Sequence, residues 1–386
     1  MAIFLDAGYV SLNKYGEELC GDNVEIIRGD NNVTCVLADG LGSGVKANIL
    51  STLTSKIICM LAANELPLEE CVSTIVSTLP VCNVRKVAYS TFTLVHVDLD
   101  GTGYLVEFDN PLAIMLKDGK FFPLERKEKI ICDKKIFITE LKLEPEDVIV
   151  FTSDGVVHAG IGAFLNFGWE RKEIIEYLEH NYSSEMSPRC IASLVGDACK
   201  SLYASRPGDD TTIAAIKVRE EVEVDMMVGP PVDKNDDERL VRAFLNMDSK
   251  KIVCGGTTSQ IVARTLGVPV ETNLDYFDPF IPPTGIIKGI DLTTEGVITL
   301  GKLLELAKTY LDISDVCIKQ FKKKDGASQL AQILFEEATS VRIYVGRSVN
   351  IAHQGLPIDT SMKLKIVEKL QETLIKLGKN VVVNYY

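Results

Sequence analysis

The chain has 386 residues, 46% of them hydrophobic, which suffices for two or three domains with sizeable cores and excludes a disordered chain. Forty-one Lys and Arg stand against 54 Asp and Glu, a net charge of −13 that argues against nucleic acid or an anionic membrane surface as the main partner. The ten cysteines include no Cys-x-x-Cys pair and do not cluster with the four histidines, so a zinc site of sulfur and nitrogen ligands is not expected.

The amino terminus, Met1 to Asp6, lacks the basic region of a signal peptide. Tyr9 to Lys14 alternates as a strand does. Asp22 leads into Val24 to Ile27, and the turn at Gly29 to Asn32 folds this run back onto Val33 to Leu37. That hairpin would set Asp22 and Asp39 at the same end of adjacent strands. Residues 45 to 63 carry helical spacing, and Pro67 opens a second helical run through Leu79. The longest apolar stretch, Ile57 to Ala63, is too short to span a bilayer. Cys35, Cys59 and Cys254 lie in apolar runs and read as reduced core residues, so a cytoplasmic location is expected.

Strand patterns follow at 87–98, 103–108 and 113–117, the last ending in the hairpin signal Asp118-Gly119. Asp147 to Thr152 is a short buried strand that delivers Ser153-Asp154-Gly155. Trp169 to His180 is helical, and Ser187-Pro188 starts another helix. Thr212 to Val218 is the next strand, preceded by Gly208-Asp209-Asp210. The charged stretch 219–223 could join two domains. Beyond it, strands at 224–228 and 251–254 alternate with helices at 238–245 and 260–266, the signature of an α/β domain with a mostly parallel sheet. Amphipathic helices fill 300–311, 328–337 and 361–377. The domains are thus 1–220 and 224–386.

Asp-Gly after one strand is an ordinary turn. Here acidic residues end or follow strands at Asp22, Asp39-Gly40, Asp154-Gly155 and Asp209-Asp210. Carboxylates at several strand ends, with no His or Cys cluster, suit hard cations such as Mg²⁺ or Mn²⁺. Two such ions about 3.5–4 Å apart can lower the pKa of a shared water and clamp a phosphoryl group for in-line attack.

Gly21-Asp22-Asn23, Ala38-Asp39-Gly40-Leu41-Gly42-Ser43-Gly44, Phe108-Asp109-Asn110-Pro111-Leu112-Ala113, Thr152-Ser153-Asp154-Gly155 and Gly208-Asp209-Asp210-Thr211-Thr212 resemble, in order, the motifs of PPM-type (type 2C) serine/threonine protein phosphatases. Within that family the motifs resemble the phosphatase domain of stage II sporulation protein E. The resemblance covers about residues 1 to 220 and implies an α+β fold, a β-sandwich flanked by helices, followed here by a smaller α/β domain. It implies two Mn²⁺ or Mg²⁺ ions. Asp39 would bridge them, Asp22 and the carbonyl of Gly40 would serve one, and Asp154 and Asp209 the other. Asp210 would support the site from behind, and Asn110-Pro111 would be structural. The arginine that often grips phosphate in the wider family has no counterpart before Asp22; Lys14 is the nearest cation, although its setting favours a solvated surface lysine. His96 and His158 could act as general acids, but each lies in or after an apolar strand, which favours a packed core or surface histidine. The implied reaction is direct attack of a metal-bridging hydroxide on a phosphoserine or phosphothreonine of a protein substrate. The alternative is a non-catalytic phosphoprotein-binding or sensor protein.

In the second domain, Gly255-Gly256-Thr257-Thr258 lies between a strand and a helix and suits a small anion, although it lacks the Gly-Lys-Ser/Thr ending of a nucleotide-binding P-loop. Polar residues of 279–285 and 289–296 could line a pocket with Thr257 and Thr258. A regulatory, ligand-binding role is expected for this domain, and a homodimer stays open.

Overall fold

The computed structural model describes residues 3–29, 31–64, 66, 70, 73–74, 90–131, 134–273, 280–311, 323–348 and 360–386. The contacts divide the chain into two units, Met1–Glu220 and Glu221–Tyr386.

The first unit is a sandwich of two antiparallel sheets. One sheet orders β1 (Ile3–Leu12), β11 (Thr211–Glu220), β10 (Val148–Thr152), β6 (Ile114–Lys117) and β7 (Lys120–Phe122). The other orders β2 (Asp22–Arg28), β3 (Asn32–Gly40), β4 (Ser90–Asp98), β5 (Thr102–Phe108), β9 (Lys134–Lys142) and β8 (Lys127–Ile131). Alternation puts Leu5, Phe151, Ala214 and Ile216 of the first sheet against Cys35, Leu37, Val95 and Leu105 of the second, and this layer is the central core. The opposite faces are covered by helices. Helix α1 (Gly44–Ala63) lays Ile58, Cys59 and Ala62 on Val36, Phe92 and Leu94. After the short α2 (Asp154–Val157), helices α3 (Arg171–Asn181) and α4 (Pro188–Leu202) bring Ile174, Leu178, Ile191 and Val195 onto Ile213, Ala215 and Val150. This is the helix-flanked β-sandwich expected from the motifs.

Local chemistry explains the element ends. Ser187 Oγ accepts from the Cys190 amide, with Pro188 in the first turn. Asp118 and Gly119 both take positive φ (47° and 71°), the turn that joins β6 to β7. Several boundaries differ from expectation. β1 begins six residues before Tyr9. The helix expected at Trp169 starts at Arg171, because Glu170 and Glu173 form a reciprocal cap there. α1 is a 20-residue helix long and apolar enough by composition to cross a membrane, longer than the apolar stretch anticipated; its Ala47, Ser51, Ser55, Ile58 and Ala62 side is buried in the protein. The helix expected at 67–79 falls outside the described residues apart from Glu70, Ser73 and Thr74.

The second unit is a seven-stranded sheet in the order β14 (Glu271–Thr272), β15 (Gly285–Ile286), β16 (Leu292–Thr294), β13 (Lys250–Cys254), β12 (Glu223–Val228), β17 (Ser340–Val345) and β18 (Asn380–Tyr385). The pairs joining β16, β13, β12, β17 and β18 are parallel. Helices α5 (Asp237–Leu245) and α6 (Gly256–Leu266) cover one face through Leu240, Phe244 and Val262. Helices α7 (Val297–Leu311), α8 (Gly326–Ala331) and α9 (Thr360–Lys376) cover the other through Leu303, Leu330 and Leu370. This is the doubly wound α/β arrangement. The helix anticipated over 328–337 is instead α8 followed by a π-helical turn at Gln332–Glu337.

Candidate metal centre

Asp22 and Asp39 face each other across the β2–β3 ladder. The short hairpin turn sets that register, so the two carboxylates sit at one end of the same sheet. The other sheet brings its own acids to this end: β10 runs into Asp154 at the start of α2, and Asp209-Asp210 immediately precede β11. Asp22, Asp154, Asp209 and Asp210 all act electrostatically on Asp39. The four predicted carboxylates, with Asp210, therefore form one cluster supplied by both layers.

Burial and mutual repulsion shape its electrostatics. Desolvation and the neighbouring aspartates hold the Asp39 carboxyl far above the usual carboxylate range. Burial likewise pushes Asp22 up to about 7, against hydrogen bonds from Ser153 and Thr212. Asp154 is raised by burial and by Asp209, an effect that His158 opposes. Two oxygens in the cluster, Asp22 Oδ1 and Asp210 Oδ2, are buried without a hydrogen-bond partner. Ligand atoms of Asp154, His158 and Asp209 also lie within 4.8 Å of one another. Orphaned, acceptor-only oxygens among mutually repelling carboxylates fit a hard divalent cation.

The supporting contacts are specific. Ser153 Oγ donates to Asp22 Oδ2 (2.7 Å) and accepts from the Thr212 amide (2.9 Å), tying the two sheets together beneath the cluster. Asp210 Oδ1 accepts from the Lys14 amide (2.9 Å), consistent with a role behind the site. Asn110 accepts from Thr91 Oγ1 and donates to Thr93 Oγ1, bracing the strand that pairs with Asp39. A side chain at Gly40 is impossible, since its Cβ would stand 2.1 Å from the Ala47 carbonyl of α1. Lys14 Nζ is 3.7 Å from Asp209 Oδ1, so this lysine is at the cluster rather than on remote surface. His158 is exposed at the rim, 3.9 Å from Asp154. His96 is elsewhere: it is buried five residues along β4 from the Asp39 partner, bonded to Thr34 Oγ1 (2.8 Å) and stacked on Tyr104. Its surroundings make it a core histidine. Ser153 and Glu17, which accepts from Ser43 Oγ (3.0 Å), were not singled out from sequence. Ser153 was legible as part of its motif; Glu17, in a turn with no pattern, was not.

Ser153→Ala leaves both Asp22 and the Thr212 amide short of a partner. We expect a loss of about 1–3 kcal/mol in stability and of roughly 10–100-fold in Mn²⁺ affinity, read by thermal melts and metal titration.

Gly255 to Thr258, the anion-site candidates, lie in the other unit, at the end of β13 and the start of α6.

No curated protein matches the chain. Among solved structures, the PP2C phosphatase domain with a fragment of the regulatory domain of SpoIIE from Bacillus subtilis is 17% identical, covering 56% of this chain and 64% of that one, with a TM-score of 0.49. The chain thus spans just under two thirds of that relative. The RsbU and RsbW domains of a Mycobacterium tuberculosis protein are 18% identical over 64% of this chain and 67% of that one, with a TM-score of 0.47. RsbX in complex with magnesium is 19% identical over 55% and 95%, with a TM-score of 0.40. The family model for stage II sporulation protein E (SpoIIE) matches residues 29–219, nearly the whole of the first unit. On that match and on the order of its acidic motifs, the amino-terminal unit belongs to the SpoIIE family of PP2C-type phosphatase domains.

Proposed function

We propose that the chain hydrolyses phosphoserine or phosphothreonine in a protein substrate, using two Mn²⁺ or Mg²⁺ ions. The observation that carries this reading is the convergence of Asp22, Asp39, Asp154 and Asp209 from two sheets around buried oxygens without partners. RsbX, of the same fold class, was crystallised with magnesium. In this reading Asp22, Asp39, the Gly40 carbonyl, Asp154 and Asp209 would hold the cations, with Asp39 as the shared ligand. Bound cations would supply a Lewis acid for the phosphoryl oxygens and a water nucleophile at neutral pH.

The protein's own residues do the rest. Ser153 fixes the Asp22 carboxyl through a 2.7 Å hydrogen bond. Lys14 offers a positive charge at the rim, where the phosphate must approach an otherwise anionic mouth. In this reading His158, at the same rim, would give a proton to the departing serine or threonine oxygen. Regulation of this reaction is assigned to the second unit.

Purified full-length chain should turn over p-nitrophenyl phosphate and a phosphoserine peptide with Mn²⁺, lose activity in EDTA, and regain it on metal addition. A metal-loaded protein that binds the phosphopeptide without turnover would replace this reading with the non-catalytic one.

A further inference from the structure

The second unit holds a feature the phosphatase reading does not use. Gly255 stands just before α6, with a φ of 113° and ψ of 134° that suit glycine alone, and it offers no side chain to cap the helix's first turn. The glycine is fixed from both sides: its amide donates to Thr294 O of the neighbouring strand β16 (2.9 Å), and its carbonyl accepts from the Ser259 amide and Oγ (both 2.9 Å). Gly256 and Thr257 are exposed, and a Cβ at Gly256 would meet nothing within 4 Å. Beneath this opening lies Thr258, only 1% exposed, whose Oγ1 has no hydrogen-bond partner. Its direction is clear: a Cβ built on Gly255 would stand 3.2 Å from Thr258 Oγ1 but 3.9 Å from Thr258 Cβ, so the hydroxyl points back at the helix mouth.

Helix α7 shows the contrasting solution. There Glu295 Oε2 accepts from the Ile298 and Thr299 amides, so that helix carries its own carboxylate. α6 has the same unpaired first-turn amides in principle and no internal anion. Amides at a helix start carry partial positive charge and point outward. A buried hydroxyl without a partner adds a donor aimed at the same space, and a ligand rich in acceptor oxygens would satisfy it together with the amides. The site opens at the carboxyl ends of parallel strands β13 and β16, where α/β sheets take ligands. We infer that Gly255, Gly256, Thr257 and Thr258 bind a phosphate group, either as free orthophosphate or as the phosphoryl end of a small metabolite. Gly255 and Gly256 let the oxygens reach the amides, and Thr258 Oγ1 donates from below.

The test is isothermal titration of full-length protein in EDTA, which leaves the carboxylate cluster without metal and makes the result independent of the phosphatase reading. Inorganic phosphate and AMP are titrated separately; tighter binding of AMP identifies a metabolite phosphoryl group, and tighter orthophosphate binding identifies the free ion. Thr258→Val should weaken binding by about tenfold, the effect of one charge-assisted hydrogen bond, while Thr258→Ser should stay close to wild type. Gly256→Asp places a carboxylate at the open first turn and should abolish binding without lowering the melting temperature. Absence of saturable binding by wild type at millimolar concentrations, or unchanged affinity in both Thr258→Val and Gly256→Asp, overturns the inference.

Discussion

Asp39→Asn should reduce metal-dependent phosphatase turnover by on the order of 10³, the scale of removing one preorganised electrostatic group from an active site, and should raise the melting temperature of the metal-free protein. Both effects come from one cause. Asp39 faces Asp22 across the hairpin and feels Asp154, Asp209 and Asp210 as well. Without cations, burial and then the neighbouring aspartates disfavour the charged form, so the native state must take up a proton that the unfolded chain releases, and an amide of the same shape removes that cost. With cations present, the same amide would weaken the proposed ligand set on which the proposed hydrolysis depends. The measurement is a paired one: p-nitrophenyl phosphate turnover in Mn²⁺ and thermal unfolding in EDTA. An Asn variant that keeps wild-type turnover would remove Asp39 from the chemistry. A variant that is less stable than wild type in EDTA would show that the carboxylate was held by attraction instead.

Metal removal should carry a pH signature of comparable size. A carboxyl whose folded pKa is raised keeps its proton in the native state while the unfolded chain releases it. For Asp22 that interval runs from the ordinary 3.8 to about 7. Across it the native state binds more protons, so stability falls as pH rises, and the fall is complete above the folded value. A shift of that size corresponds to on the order of 4 kcal/mol, or roughly 10 °C in melting temperature for a unit of this size. EDTA-treated protein should therefore melt higher at pH 5 than at pH 8. Saturating Mn²⁺ should cancel or reverse the trend, because ligation requires the ionised carboxylates and releases their protons. Equal slopes with and without metal would separate the acidic cluster from cation binding.

Much of the site was legible because its residues end elements with strong patterns. The turn at Gly29 to Asn32 and the alternation on either side of it determine the pairing of Asp22 with Asp39. The apolar runs before Ser153 and after Asp210 place the other acids at strand ends. What escaped notice lacks such periodicity. β8 is exposed along nearly its whole length, so Lys127 to Ile131 carries no burial alternation. β18 likewise presents no fully buried residue. The importance of Ser153 depends on a bond to a residue 131 positions away, which no local pattern encodes. In the second unit, the strand–helix alternation revealed a parallel sheet, but the order that puts β12 between β13 and β17 is a property of long-range pairing.

The central layer of the sandwich has a consequence for how this protein would fail. Leu37 and Phe151 belong to the one core that separates the strands bearing Asp39 from those leading to Asp154. Thinning that filling, as in Phe151→Leu, would let the two walls drift by fractions of an ångström long before either lost its ladder. The proposed cation cage would tolerate little such drift. Catalysis should thus behave as a gauge of interlayer spacing, decaying under mild heat or urea while circular dichroism still reports intact strands.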